Sequence, residues 1–407
     1  MRVLLVNSLY PPADVGGAER SVEQLARGLV GAGVTVSVAT LVEKGGFETG
    51  GGVEARDGVR VHRLPLRHLY WPYGGRRRAG VLRALWHGVE AVSPLMDRAV
   101  ARVVQVEQPD LIHAHVMTGF ADSVHRAARR AGLPLVQSLR DYSTLCSRAA
   151  LFRRGHVCER RCGDCVLLSE RRRRATADVD HVVGISRAVL ERHRSAGCFG
   201  DTPATVIGNA AGSVRRVLEV VRDGGAGFGF IGRIEPEKGI EVLLRAMTNL
   251  DGDWRLRIAG RGEAAYVARL RGAFPDSRID WLGQVEAEAF YGGVDVVVAP
   301  AIWAEPFGRV VVEALTRGRG VIASRIGGLP EAAAGAGRVT LVAPGDVAAL
   351  AAALRAVVDD PVPWRNPGPL LNPIWTEASI AQAYLAVYRE VLAGRSSASQ
   401  VSSRRAD

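Results

Sequence analysis

In the stretch AEPFGRVVVEAL, residues 304–315, two carboxylates, Glu305 and Glu313, flank a Phe307-Gly308 step at the start of an expected helix. The run VDVVVAP before it reads as a buried strand, so Glu305 falls in the strand-to-helix loop and Glu313 about one turn into the helix. A helix starting near Gly308 or Arg309 offers an anion its first amide N–H groups, which lack intrahelical partners. Glu313 lies ~6 Å deeper than Arg309 on much the same face, about the separation between a phosphate and the ribose that carries it. A carboxylate at that depth can accept from two vicinal hydroxyls, which makes the segment a grip for a sugar nucleotide. Two acids near a helix N-terminus also satisfy the helix dipole without any ligand, and the spacing alone leaves both readings open.

A cationic counterpart lies upstream in FIGRIEPEKGIEVLLRA, residues 230–246, where a strand ends at Gly232 and sends Arg233 and Lys238 into a loop before a helix. Fixed cations at such a rim stabilise the negative charge that grows on a diphosphate leaving group. All but Lys44 and Lys238 of the 53 basic residues are arginine, which favours a point-charge role for the compact ammonium of Lys238. The competing reading is a surface turn in which Glu235 and Glu237 neutralise it.

The first half carries a second set. In DLIHAHV, residues 110–116, alternation puts Leu111, His113 and His115 on one face, with His115 at the carboxyl end, where open α/β sheets collect ligands. His113, deeper in, reads as a satisfied core histidine. Gly16-Gly17, between the strand RVLLVN and an amphipathic helix, admits close approach of a ligand without being the spaced dinucleotide fingerprint. Arg140 and Asp141 follow the next strand. Cys146, Cys158, Cys162 and Cys165 form C-x11-C-x3-C-x2-C, which matches a structural zinc site; reduced thiols or an iron–sulfur cluster are the other readings.

These pieces need elements to hold them. The chain has 407 residues, 47% hydrophobic, enough for two α/β domains, and its alternating strand and helix signals specify doubly wound parallel sheets. The expected division is a domain over 1–198 with a Cys-rich insertion at 143–168, and a second domain over 199–365. A crossover with a C-terminal helix that packs back on the first domain follows over 366–393, and then a disordered tail over 394–407. No apolar run reaches membrane-spanning length and the opening segment is too short for a signal peptide, so a cytoplasmic location is expected. The net charge of +11 and the clusters Arg76-Arg77-Arg78 and Arg171–Arg174 allow peripheral contact with the inner face of a membrane; nucleic acid is not an expected partner.

Taken in order, Gly16-Gly17, DLIHAH, FIGRIEPEKG, IAGRGE, the 304–315 stretch and IGGLPE resemble family 4 of the retaining glycosyltransferases (glycosyl transferases group 1), across roughly residues 1–393. The resemblance implies the GT-B fold, two Rossmann-like domains facing a cleft, with the acceptor on the first and the donor on the second. It implies transfer of a hexose or hexose derivative, with retention, from a UDP- or GDP-linked donor to a sugar, aminocyclitol, polysaccharide or lipid-linked acceptor, with no catalytic cofactor or active-site metal. Carried over, it makes His115, Arg233, Lys238 and Glu305 catalytic, and places Gly16, Gly17, Gly232, Phe307, Gly308, Arg309 and Glu313 at the donor. The chain departs from the family pattern at Arg140, where many relatives have histidine, and at Asn209-Ala210, where they have Asn-Gly. A sugar-nucleotide epimerase or hydrolase, and a basic protein binding nucleic acid or a membrane surface, are the alternative functions.

Overall fold

The computed structural model describes residues 1–13, 16–44, 52–73, 80–91, 93–212, 225–335, 338–365 and 375–403. The chain divides into two compact units, Met1–Leu151 with Glu159–Ala210 and Glu377–Asp407, and Phe152–Cys158 with Ala211–Thr376.

The first unit is built on strands β1 (Arg2–Val6), β2 (Thr35–Val42), β3 (Gly52–Arg56), β4 (Val59–Pro65), β5 (Leu111–Ala114) and β6 (Leu135–Leu139). A short hairpin, β7 (Phe152–Arg153) and β8 (His156–Val157), interrupts the order before β9 (His181–Gly184) and β10 (Ala204–Val206). The eight-stranded sheet runs β10-β9-β6-β5-β1-β2-β4-β3, parallel throughout except for the antiparallel edge strand β3. The second unit contributes β11 (Ala226–Ile231), β12 (Trp254–Ala259), β13 (Ile279–Gly283), β14 (Val296–Ala299), β15 (Gly320–Ser324) and β16 (Val339–Val342), all parallel in the order β13-β12-β11-β14-β15-β16. Valine and isoleucine runs fill the central strands because both faces are covered by helices.

Strand order reverses between β1 and β5 in the first sheet and between β11 and β14 in the second. Such switch points open a crevice at the carboxyl ends of the strands. The loops that leave β1, β5, β11 and β14 carry Gly16-Gly17, His115, Gly232–Lys238 and Glu305.

The boundary falls at Ala210 rather than 198, because Ala204–Val206 pairs in parallel with β9 as the edge of the first sheet. The C-terminal helix, Glu377–Ser403, belongs to the first unit: Arg27 donates to Glu377, and Ile380, Tyr384, Val387 and Val391 bury their stripe. It runs ten residues past the expected start of a disordered tail. Its serine-rich end lacks apolar periodicity, but serine and alanine still permit helix once a packed N-terminal part has nucleated it. Residues 404–407 lie outside the described part, as do Arg76–Arg78 and most of the Pro-rich crossover.

Candidate active site

The loops of the second unit are fastened by glycines that no other residue replaces. Gly239 sits at φ +73°, and a Cβ there would lie 1.8 Å from the carbonyl oxygen of Pro300. This contact, with the Ile302 amide donating to the Glu237 carbonyl at 3.0 Å, brings the Arg233–Lys238 loop against the loop that follows β14. On its other side, the Gly328 amide donates to the Glu305 carbonyl at 2.7 Å, and a Cβ on Gly327 would meet Glu305 backbone at 2.3 Å. The IGGLPE turn thus seats the Glu305 loop; the space its glycines leave is filled by that loop's backbone.

So held, Lys238 Nζ and Glu305 Oε2 are 2.5 Å apart, Trp303 Nε1 donates to the same oxygen at 3.0 Å, and the ammonium stands 5.1 Å from the Trp303 ring centroid. Lys238 therefore pairs with Glu305, not with the neighbouring acids of its own turn. Arg233 pairs with Glu235 at 2.7 Å. Burial raises the Glu235 carboxyl above its ordinary value, opposed first by Arg233, and Lys238 also acts on it. Both cations thus share one neighbourhood at the rim.

Gly308, at φ +98°, precedes the helix Arg309–Thr316, and a Cβ there would strike Leu329. Phe307 is buried edge-on against Trp375, ring centroids 5.3 Å apart. One turn in, Glu313 receives Arg309 Nε and Nη2 on Oε1 at 3.1 and 2.7 Å, and the buried Tyr291 hydroxyl on Oε2 at 3.0 Å. The carboxylate is held from two sides and keeps lone pairs for a diol. Trp303 and Tyr291 escaped the sequence reading. Trp303 stands two residues before Glu305 and was within reach of a local argument; Tyr291 lies 22 residues before Glu313 and had no local signal.

In the first unit His113 is hydrogen-bonded to Tyr388 Oη at 2.6 Å and Ser138 Oγ at 2.8 Å, and Ser138 to Tyr384 Oη at 3.0 Å. It is a fully satisfied core histidine. His115, its ring centroid 3.9 Å from that of His113, accepts at Nδ1 from Arg140 Nε at 3.0 Å, and Arg140 Nη1 donates to Asn209 Oδ1 at 2.5 Å. Burial, then His113 and Arg140, hold His115 well below the usual imidazole range. Arg140 thus joins His115 and Asn209, not Asp141. Gly16 has extended backbone, which any residue adopts; its amide donates to Glu19 Oε2 at 3.1 Å as a helix cap, and Gly17 opens that helix.

Of the cysteines, Cys146 and Cys165 bring their sulfurs to 3.5 Å in a buried pair, and burial together with Cys146 pushes the Cys165 thiol up to about 12. Cys158 groups with the second unit. Among the described residues no three His, Cys, Asp or Glu side chains gather as a metal site. Cys162 also reaches the Cys165 thiol as a side-chain hydrogen-bond partner. The Arg171–Arg174 cluster is also engaged: Arg171 pairs with Asp122, and Arg173 and Arg174 with Glu170. No helix among the described residues is long and apolar enough to cross a membrane.

This geometry has counterparts. Residues 16–210 match the model of the glycosyl transferase 4-like domain, and 225–360 that of the glycosyl transferases group 1. An uncharacterized 42.6 kDa protein of the cps region of Klebsiella pneumoniae is 29% identical over 331 residues, 81% of this chain and 87% of that protein. The sucrose-phosphate synthase of Thermosynechococcus elongatus superposes with a TM-score of 0.78 at 19% identity, covering 97% of this chain and 99% of that one. Anabaena HepE, solved in complex with UDP and glucose, gives 0.68 at 18% identity over 95% and 99%. Matched in both units by glycosyltransferase family models, and sharing its fold with solved GT-B enzymes, the chain belongs to the group 1 glycosyltransferases, family 4 of the GT-B fold.

Proposed function

We propose that this glycosyltransferase moves a hexose, or a hexose derivative, from a UDP-linked donor with retention of configuration and without a metal at the active site. The observation that carries this reading is the Lys238–Glu305–Trp303 constellation beside a Glu313 clamped by Arg309 and Tyr291. Glu313 takes the ribose hydroxyls, the amides at Gly308 and the Lys238 and Arg233 cations take the diphosphate, and Glu305 orients both Lys238 and the sugar hydroxyls. The uridine base rests on likeness to HepE, whose structure holds UDP and glucose.

In the reaction the bond between the anomeric carbon and the phosphate oxygen breaks with its electrons on the diphosphate. The acceptor hydroxyl forms its bond to that carbon on the same face, and its proton passes to the departing phosphate oxygen. Preorganised cations lower the cost of the charge that appears there.

The test is a donor and acceptor screen read by nucleoside diphosphate release, covering sugar, aminocyclitol, polysaccharide and lipid-linked acceptors, with the product anomer assigned by NMR. Release that requires an acceptor, persists in chelator and yields the donor's anomeric configuration is expected. An inverted product overturns retention, and acceptor-independent release supports the hydrolase or epimerase reading. UDP at 100 times its Kd should stabilise the protein by about 2.7 kcal/mol in thermal unfolding. Glu313→Gln should raise the donor KM about tenfold or more while kcat changes only a few-fold, since a charge-assisted hydrogen bond to the nucleoside is lost equally from ground and transition states.

A further inference from the structure

His115 is 4% exposed and Arg140 7% exposed, both at the carboxyl ends of neighbouring strands of the first unit. An arginine side chain is always a donor and never an acceptor. The 3.0 Å contact from its Nε therefore requires a lone pair on His115 Nδ1, and the neutral ring carries its proton on Nε2. The Asn209 carbonyl oxygen, taking Nη1 at 2.5 Å, fixes the guanidinium plane that imposes this. His115 Nε2 is itself buried and has no hydrogen-bond partner among the described residues. A buried N–H without an acceptor is costly and marks a site completed by something else.

We propose that Arg140 is a positioning residue that holds His115 as an uncharged Nε2–H donor towards an oxygen of a bound ligand. The identity of that oxygen rests on the transferase reading above; the state of the ring does not. With Nδ1 occupied and Nε2 protonated, His115 has no lone pair to offer, so it cannot serve as the base for the acceptor hydroxyl. In the reaction proposed above the acceptor's proton goes to the phosphate oxygen. The charged and titratable groups that act on the ring are His113, tilted beside it, and Arg140; the Tyr384 and Tyr388 hydroxyls lie behind His113. Both His113 and Arg140 oppose a second proton on His115.

The experiment is long-range proton–nitrogen NMR of histidine-labelled full-length protein from about pH 5 to 8, with His115 assigned by its loss in His115→Gln. In the wild type, Nδ1 should be unprotonated and hydrogen-bonded and Nε2 protonated across the range. Arg140→Met should remove the hydrogen-bond signature at Nδ1 and lower kcat about tenfold, the upper end for one neutral hydrogen bond, with the donor KM little changed. Arg140→Lys, which keeps a donor, should recover part of both. An unaltered His115 pattern in Arg140→Met overturns the proposal. If that variant does not fold, the wild type still decides, because a proton on Nδ1, or a ring that titrates in this range, overturns it. The expected wild-type pattern together with no transfer to any acceptor would count against the transferase reading and leave Arg140's role standing.

Discussion

Lys238→Ala is expected to lower kcat by a factor on the order of 10² to 10³, the range seen when one preorganised group is removed from a developing negative charge. The side chain is partly exposed and its contacts are polar, so the melting temperature should stay close to that of the wild type. Glu305→Gln should cost less, because a glutamine still accepts from Trp303 Nε1 while losing the ion pair that aims the ammonium. The two residues act as a unit, so the double variant should be little worse than Lys238→Ala alone. Steady-state kinetics of the three variants at saturating donor make the check. Turnover in Lys238→Ala within threefold of the wild type, with unfolding unchanged, removes Lys238 from the diphosphate site.

Lys238, Glu305 and Glu313 were legible in the sequence because each stands at a fixed offset from a strand end and a helix start, and short-range rules fix such offsets. The glycines between them were legible as turns but not in purpose. Gly239 and Gly327 make room for the backbones of Pro300 and Glu305, which are distant in sequence. Tyr291 and the Arg140–Asn209 contact are products of packing, invisible to any periodicity. The cysteine spacing suggested four thiolates; packing brings Cys146 and Cys165 together as a buried pair with Cys162 reaching the same thiol, because spacing limits which side chains can meet without deciding how they meet. The domain boundary moved from 198 to 210 because the three-residue strand β10 pairs with β9 as the edge of the first sheet, a long-range pairing that no local pattern assigns. The long C-terminal helix shows the opposite error: tertiary packing of its first half extends a helix that local propensity would have ended near Leu392.

The buried histidines of the first unit set a second large effect, on stability against pH. Burial lowers His113, His115, His125 and His193, His193 to about 4. In the unfolded chain these rings take up protons near pH 6.5. Between that value and the folded one the unfolded state binds more protons, so stability rises with pH in this window. The contribution is fully present above about pH 6.5 and is lost as pH falls towards the folded values. His193 alone accounts for roughly 2–3 kcal/mol of loss at about pH 4.5, with His113 and His115 adding to it. Asp141 works the other way: burial raises its carboxyl, so acid relieves a folded-state cost there. One carboxyl does not offset several buried rings, and the first unit should unfold in mild acid, since a domain's whole stability is only about 5–15 kcal/mol. His193→Phe keeps an aromatic ring stacked on Tyr142 and removes both the proton site and the unpartnered Nε2. Urea unfolding, followed by hydrogen exchange of the β6 and β9 amides, should show the wild type losing stability steadily from pH 7 to 4.5. The His193→Phe variant should lose roughly 2–3 kcal/mol less over the same span. Equal slopes in the two proteins would mean that His193 is already protonated in the folded state, and that its buried ring is not what makes this unit acid-labile.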